Sequence, residues 1–174
     1  MDLAFPLPVS EVVMMGRYPH FTGKPTEKDK NACQEAMELF GVTEMATRNY
    51  MTLSGGEKQR THFARVLAQI WYPIPKATRY LLLDEPLTFL DVYYQFDFMN
   101  KIVEVLKQKD IVVAGVVHDL NLAAKFADKI ILLHQGKVLA SGTREEVLTK
   151  EHLKTAYRMD TIIRCEDGDM QLFF

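Results

Sequence analysis

From residue 79 onward the sequence alternates short apolar runs with helical stretches, and this rhythm restricts the fold more than any other feature. Residues 80–83, 111–117 and 129–133 read as strands, with helices expected over 92–107 and 120–126 between them. Strands separated by helices predict a parallel sheet with crossover connections, an α/β class. The wholly apolar run 80–83 suits a strand buried on both faces. Residues 9–69 have a helical texture instead, with room for three or four helices. Thr26 and Asp29 carry capping-box spacing, and Ala32, Ala36, Leu39 and Phe40 recur on one face before Gly41. Further on, Gln135-Gly136-Lys137 predicts a turn into residues 138–141, and Thr143 with Glu146 repeats the capping-box spacing. Residues 161–165 and 170–174 flank Glu166-Asp167-Gly168-Asp169 as a terminal hairpin. The expected division is a helical subdomain over 1–72 and an α/β portion over 73–174.

Composition removes several classes. A length of 174 residues, 48% hydrophobic and 25% charged, with net charge -2, describes an ordinary globular chain without the basic footprint of a nucleic-acid binder. Cys33 and Cys165 have no C-x-x-C partner, so neither a disulfide framework nor a zinc cluster is expected, and a reducing cytoplasm fits best. No apolar stretch approaches the roughly 20 residues of a membrane helix. Membrane association is therefore expected through a partner protein.

Chemistry concentrates in two segments. Leu53-Ser54-Gly55-Gly56-Glu57-Lys58-Gln59-Arg60 opens a helix expected to run to Gln69. Its serine hydroxyl and two unobstructed glycine amides at a helix N-terminus make a phosphate cradle. Asp84-Glu85-Pro86 follows the run 80–83, where a parallel strand delivers ligand-binding groups at its carboxyl end. Alone, Asp-Glu-Pro reads first as a polar strand end entering a turn, and Ser-Gly-Gly first as a capped helix with a flexible pair; the coupling of the two argues against accident. Asp91 is placed to cap the helix that follows, and His118 comes after the run 111–117 at the same expected sheet edge as Glu85. His20, His62, His134 and His152 show no metal-ligand spacing and receive no catalytic role.

These segments resemble the signature and Walker B motifs of ATP-binding cassette (ABC) ATPases, in the order signature, Walker B, D-loop, switch histidine. Gly16-Arg17-Tyr18-Pro19-His20, Leu67-Ala68-Gln69 and Leu90-Asp91-Val92-Tyr93-Tyr94-Gln95 narrow the resemblance to ATP-binding subunits of importers for haem, iron-siderophore complexes and vitamin B12. The resemblance runs through nearly the whole chain, starting just after that family's Q-loop, with residues 5–9 similar to the stretch following the glutamine. The adenine-stacking aromatic, the Walker A loop and the Q-loop glutamine have no counterpart in the 174 residues, and no G-x-x-x-x-G-K-[S/T] occurs. Leu87 stands where the family usually carries threonine.

The resemblance implies part of a P-loop NTPase core plus a helical signature subdomain, with ATP and Mg²⁺ as cofactors of a site incomplete in these residues. It implies Asp84 as the Mg²⁺ ligand and Glu85 as the residue polarising the attacking water. His118 would sense the γ-phosphate; Ser54, Gly55, Gly56 and Asp91 would serve nucleotide binding and the facing subunit. The implied partners are an integral-membrane permease, a second ATPase subunit in a head-to-tail homodimer and, indirectly, a periplasmic or extracellular binding protein. No nucleic acid is among them. The implied location is cytoplasmic, peripheral on the inner face of the cell membrane. Two other readings remain: a non-enzymatic remnant that docks on a permease, and the distal lobe of a chromosome or DNA-repair ATPase, which would ask for long heptad helices that residues 27–40 and 92–107 do not pattern.

Overall fold

The computed structural model describes residues 6–174 except Phe89 and Asp167, with the side chains of Leu106 and Gln108 also outside the described set. Residue 5 of the post-glutamine resemblance and Asp167 of the terminal turn therefore lie outside it. The elements in order are α1 (Val9–Met14), α2 (Glu27–Leu39), α3 (Gly55–Gln69), β1 (Arg79–Asp84), α4 (Val92–Lys109), β2 (Ile111–Val116), α5 (Leu120–Phe126), β3 (Ile130–His134), β4 (Lys137–Gly142), α6 (Arg144–Val147), α7 (Lys150–Tyr157), β5 (Ile162–Glu166) and β6 (Asp169–Phe173). Three two-stranded sheets form: β1 with β2 in parallel across the α4 crossover, and the antiparallel pairs β3–β4 and β5–β6.

Local chemistry explains most boundaries. Thr26 caps α2 and Ser54 caps α3 in full capping boxes with Asp29 and Glu57, and Thr143 does the same for α6 with Glu146. Helix α4 starts at the Asp91 cap and stops where Asp110 turns left-handed at φ 49°. The two-residue turn between β3 and β4 has Gln135 at φ 48° and Gly136 at φ 73°, the pair of positive values that matches strand twist in a tight hairpin.

The chain divides into two compact units, one running through Gly115 and one over Val116–Phe174. In the first, α1, α2 and α3 bury Val9, Val12, Val13, Ala32, Ala36, Leu67 and Ala68. This unit extends well past residue 72, because α4 packs on the helices through aromatic rings. Phe98 stacks on Phe63 with centroids 3.9 Å apart and lies 6.1 Å from Phe40. Arg79, at the start of β1, donates to the carbonyls of Ile70 (2.7 Å) and Trp71 (3.1 Å). In the second unit Ala124, Leu132, Val147, Leu148, Leu153, Met170 and Leu172 form one core. Asn121 closes that core by a reciprocal pair with the Leu172 backbone, at 3.1 and 2.8 Å.

One expectation fails. The run 80–83 is buried on one face only: Leu81 is inside, while Tyr80 and Leu82 are 64% and 77% exposed. A parallel sheet is dry on both sides only when two layers cover it, and the described residues cover one face of β1. Ile131 and Leu133 in β3 are similarly exposed, at 64% and 63%.

Glycine matters most at position 16. A Cβ there would overlap the Arg65 carbonyl oxygen of α3 and press on its carbonyl carbon, both backbone atoms. Gly16→Ala should therefore force α3 away from the turn over Met15–His20 and lower stability by about 1–3 kcal/mol, read as a lower urea midpoint at unchanged slope. A midpoint equal to wild type would show that the contact relaxes freely.

Candidate functional site

The helix α3 brings its N-terminus to the surface as a set of unsatisfied donors. Ser54 accepts from the Glu57 amide at 3.3 Å, and its own amide donates to Glu57 Oε2 at 2.7 Å. That reciprocal box leaves the first-turn amides of Gly55 and Gly56 without a partner among the described residues. Nothing lies within 4 Å of where a Cβ would sit on either glycine. Neither glycine is required by packing inside the chain. Their bareness suits close approach of an outside group to the helix end.

Charge around this end is balanced locally. The Ser54 amide and hydroxyl, helped by Arg48 at 2.9 Å, hold the Glu57 carboxyl below the ordinary carboxylate range against a smaller opposing effect of burial. One turn on, His62 faces inward and bonds Tyr50 Oη at 2.6 Å. Burial, then the Arg65 charge, pushes its pKa down to about 4, so it is a neutral packing residue at pH 7.

The carboxylates sit where the strand ends. Asp84 is the last residue of β1 and is exposed; Glu85 follows in a left-handed conformation at φ 45°. Such a φ is unfavourable for a residue with a Cβ and persists only where neighbours hold it. Here Thr88 donates to the Glu85 carbonyl through its amide (3.4 Å) and hydroxyl (3.1 Å), with the hydroxyl also 3.5 Å from Glu85 Oε2. Gln95 on α4 then donates to the carbonyls of Leu87 (3.3 Å) and Leu90 (3.1 Å). Asp91, at the end of this loop, accepts from the Tyr94 amide at 3.1 Å and stays exposed. Leu87, the departure from the family pattern, is buried and serves as a packing residue.

Gln59 joins the two segments by donating to the Pro86 carbonyl. The signature helix and the loop after Asp84-Glu85 are thus bonded directly. Arg60, next along α3, stacks over the Tyr94 ring at 5.3 Å. Neither Gln59 nor Gln95 was singled out as a site residue from the sequence. Both lie inside the segments that carry the resemblance, but a glutamine's partner is not encoded by spacing. Ser54 makes its side-chain bond within its own capping box and reaches neither Asp84 nor Glu85. His118 lies two residues past β2 and just before Asp119, whose carboxylate caps α5 through the Asn121 (2.8 Å) and Leu122 (3.0 Å) amides. It belongs to the second unit, whereas the other candidates belong to the first.

No group of three or more His, Cys, Asp or Glu able to cage a metal occurs among the described residues. A cation at Asp84 would take most of its ligands from phosphate oxygens and water. That donor set fits Mg²⁺, which keeps several waters and seldom relies on protein alone. No helix of the described residues is long and apolar enough to cross a membrane.

No protein-family profile matches the chain. It is 47% identical over 161 residues to the hemin import ATP-binding protein HmuV of Gloeobacter violaceus, covering 92% of this chain and 58% of that protein. It is 39% identical over 161 residues to the protein of the same name from Escherichia coli O157:H7, covering 92% of this chain and 61% of that one. The chain thus spans about three fifths of the length of these relatives. Among solved structures, it superimposes on an inward-facing transporter described as of the metal-chelate ABC type with a TM-score of 0.82 at 25% identity, over 99% of this chain and 67% of that one.

Proposed function

Since this chain belongs to the ABC ATPases in sequence and fold, we propose that it acts as the signature-bearing part of an importer's ATP-binding subunit, coupling ATP binding and hydrolysis to import of haem or another iron complex. The observation that carries this reading is the open end of α3, where two glycines with empty space around them follow Ser54 at a helix N-terminus bonded through Gln59 to the loop after Glu85. Such a helix end attracts a phosphate chain by its orphan amides and its dipole. Being exposed, it serves a nucleotide presented from outside, as in a head-to-tail pair of subunits. Residues 1–72 would then work as the signature lobe and 73–174 as the catalytic portion.

Asp84 is the residue to hold Mg²⁺, and Glu85 the one to orient and polarise the attacking water. When bound, Mg²⁺ would neutralise charge building on the phosphate oxygens. His118 would sense the γ-phosphate, and Asp91 would meet the facing subunit. The permease partner, with a binding protein beyond it, and a peripheral place on the inner face of the cell membrane follow from the same reading.

The 174 residues contain no phosphate-loop sequence, whose lysine and backbone nest supply most of the triphosphate binding. The isolated chain should therefore bind Mg-ATP weakly and release no phosphate. Calorimetric titration checks this, and micromolar affinity would overturn it. One second reading, a non-enzymatic module docking on a permease, is separated from the first by whether turnover appears once a phosphate loop is supplied.

A further inference from the structure

The segment after α3 folds back through a bridge between Ile74 and Ala77, with Lys76 left-handed at φ 62°. Together with the end of α4 it encloses a cleft of about 590 Å³, within the first unit and apart from the Ser54 helix end. Its size falls in the range of small-molecule sites. Three cations line it, Lys76, Arg79 and Lys109, against one carboxylate, Asp110, in a chain whose net charge is -2.

None of these cations forms an ion pair with a described residue. Arg79 is nearly buried and spends Nη1 on the carbonyls of Ile70 and Trp71; its Nε and Nη2 bond no described residue. Lys109 Nζ lies over the Trp71 ring, 3.8 Å from its centroid, and forms no ion pair with a described carboxylate. Glu35 attracts the Lys109 charge, but its Oε2 accepts from the Trp71 indole at 2.7 Å. Burial lowers the Lys109 pKa, with Glu35 opposing and the Arg79 charge adding to the fall. Ring attraction returns part of the desolvation cost of such an ammonium, and a bound anion would return more.

We propose that this cleft binds a small polyvalent oxyanion, a phosphate or pyrophosphate group, between Lys109, Lys76 and the unused edge of the Arg79 guanidinium. A guanidinium fork with two ammonium groups matches the charge and the several acceptor oxygens of such a group better than a single carboxylate does. The site is independent of the nucleotide reading above, since it uses none of Ser54, Gly55, Gly56, Asp84 or Glu85.

Trp71 is the sole tryptophan, so its emission reports directly on the cleft. The full chain would be titrated with inorganic pyrophosphate in magnesium-free buffer at constant ionic strength, following emission and binding heat. The expected result is saturation with a midpoint at or below about 1 mM, weakened about tenfold in Lys76→Gln and lost in Lys109→Met. Ser54→Arg should leave the midpoint unchanged. An ADP arm distinguishes sources: a midpoint like that of pyrophosphate, with adenosine silent, means that the phosphates alone are read. No saturation by about 10 mM, or Lys76→Gln and Lys109→Met both titrating like wild type, overturns the proposal, as does saturation by ADP alone that Ser54→Arg abolishes. Lys76 is exposed on the loop, so that variant keeps the test sound even if Lys109→Met fails to fold.

Discussion

Glu85→Gln should reduce steady-state phosphate release by about 100- to 10,000-fold in a cassette completed by mixing this chain with the phosphate-loop segment of a related importer ATPase. The amide keeps the shape of the carboxylate and loses its capacity to polarise water, so the loss should fall on kcat while ATP stays bound. The φ of 45° at Glu85, held by the two Thr88 bonds to its carbonyl, fixes where that side chain leaves the strand end. Ser54→Arg and His118→Ala should also lower turnover, the first by filling the cradle at the α3 N-terminus with a long cation. Turnover within a few-fold of the unsubstituted mixture would remove Glu85 from its proposed role. If the segments bind each other and no phosphate is released, the permease-docking reading becomes the better one.

Arg17→Met should destabilise the first unit by about 3–5 kcal/mol, because it strands a buried carboxylate. Arg17 Nε meets Asp29 Oδ1 at 3.0 Å with both side chains about 5% exposed or less, and its Nη1 donates to the Ala68 carbonyl at 2.9 Å. The other Asp29 oxygen accepts from the Thr26 amide (2.9 Å) and hydroxyl (2.6 Å). This network ties the turn over Met15–His20, the start of α2 and the end of α3. Burial alone raises the Asp29 pKa, but the Thr26 bonds and the Arg17 charge outweigh it and hold the group below the ordinary carboxylate range. A carboxyl lowered in the folded state stabilises above its unfolded pKa, about 3.9, and that stability is lost as pH falls through the folded value. The gap between wild type and Arg17→Met in urea midpoint should therefore be widest near neutrality and narrow below about pH 4. A gap independent of pH would assign the loss to packing of the arginine stem.

Much of the fold could be read from residue order because it rests on interactions within a few positions. The capping boxes at Thr26 and Thr143, the Ser54 start and Gln69 end of α3, the bounds of α5, the Gln135-Gly136 turn and the terminal hairpin all depend on side chains reaching their own backbone or on glycine conformation. Helix α7 escaped notice: it is eight residues long, buries only Leu153 fully and follows α6 after two residues, so its periodicity is too short to register.

The candidate site divides along the same line. That Ser54, Gly55 and Gly56 open a helix, that Asp84 and Glu85 end a strand and that Asp91 caps α4 are local facts, and the sequence alone determined them. Tertiary structure decided the rest. It bonded Gln59 to Pro86, hung the loop after Glu85 on Gln95, stacked Phe98 against Phe63 so that α4 joined the helical lobe, and left Tyr80 and Leu82 bare where an apolar run implied burial. Each of these depends on which surface meets a residue from far along the chain. Apolar character states that a side chain prefers to leave water; only packing supplies the layer that covers it.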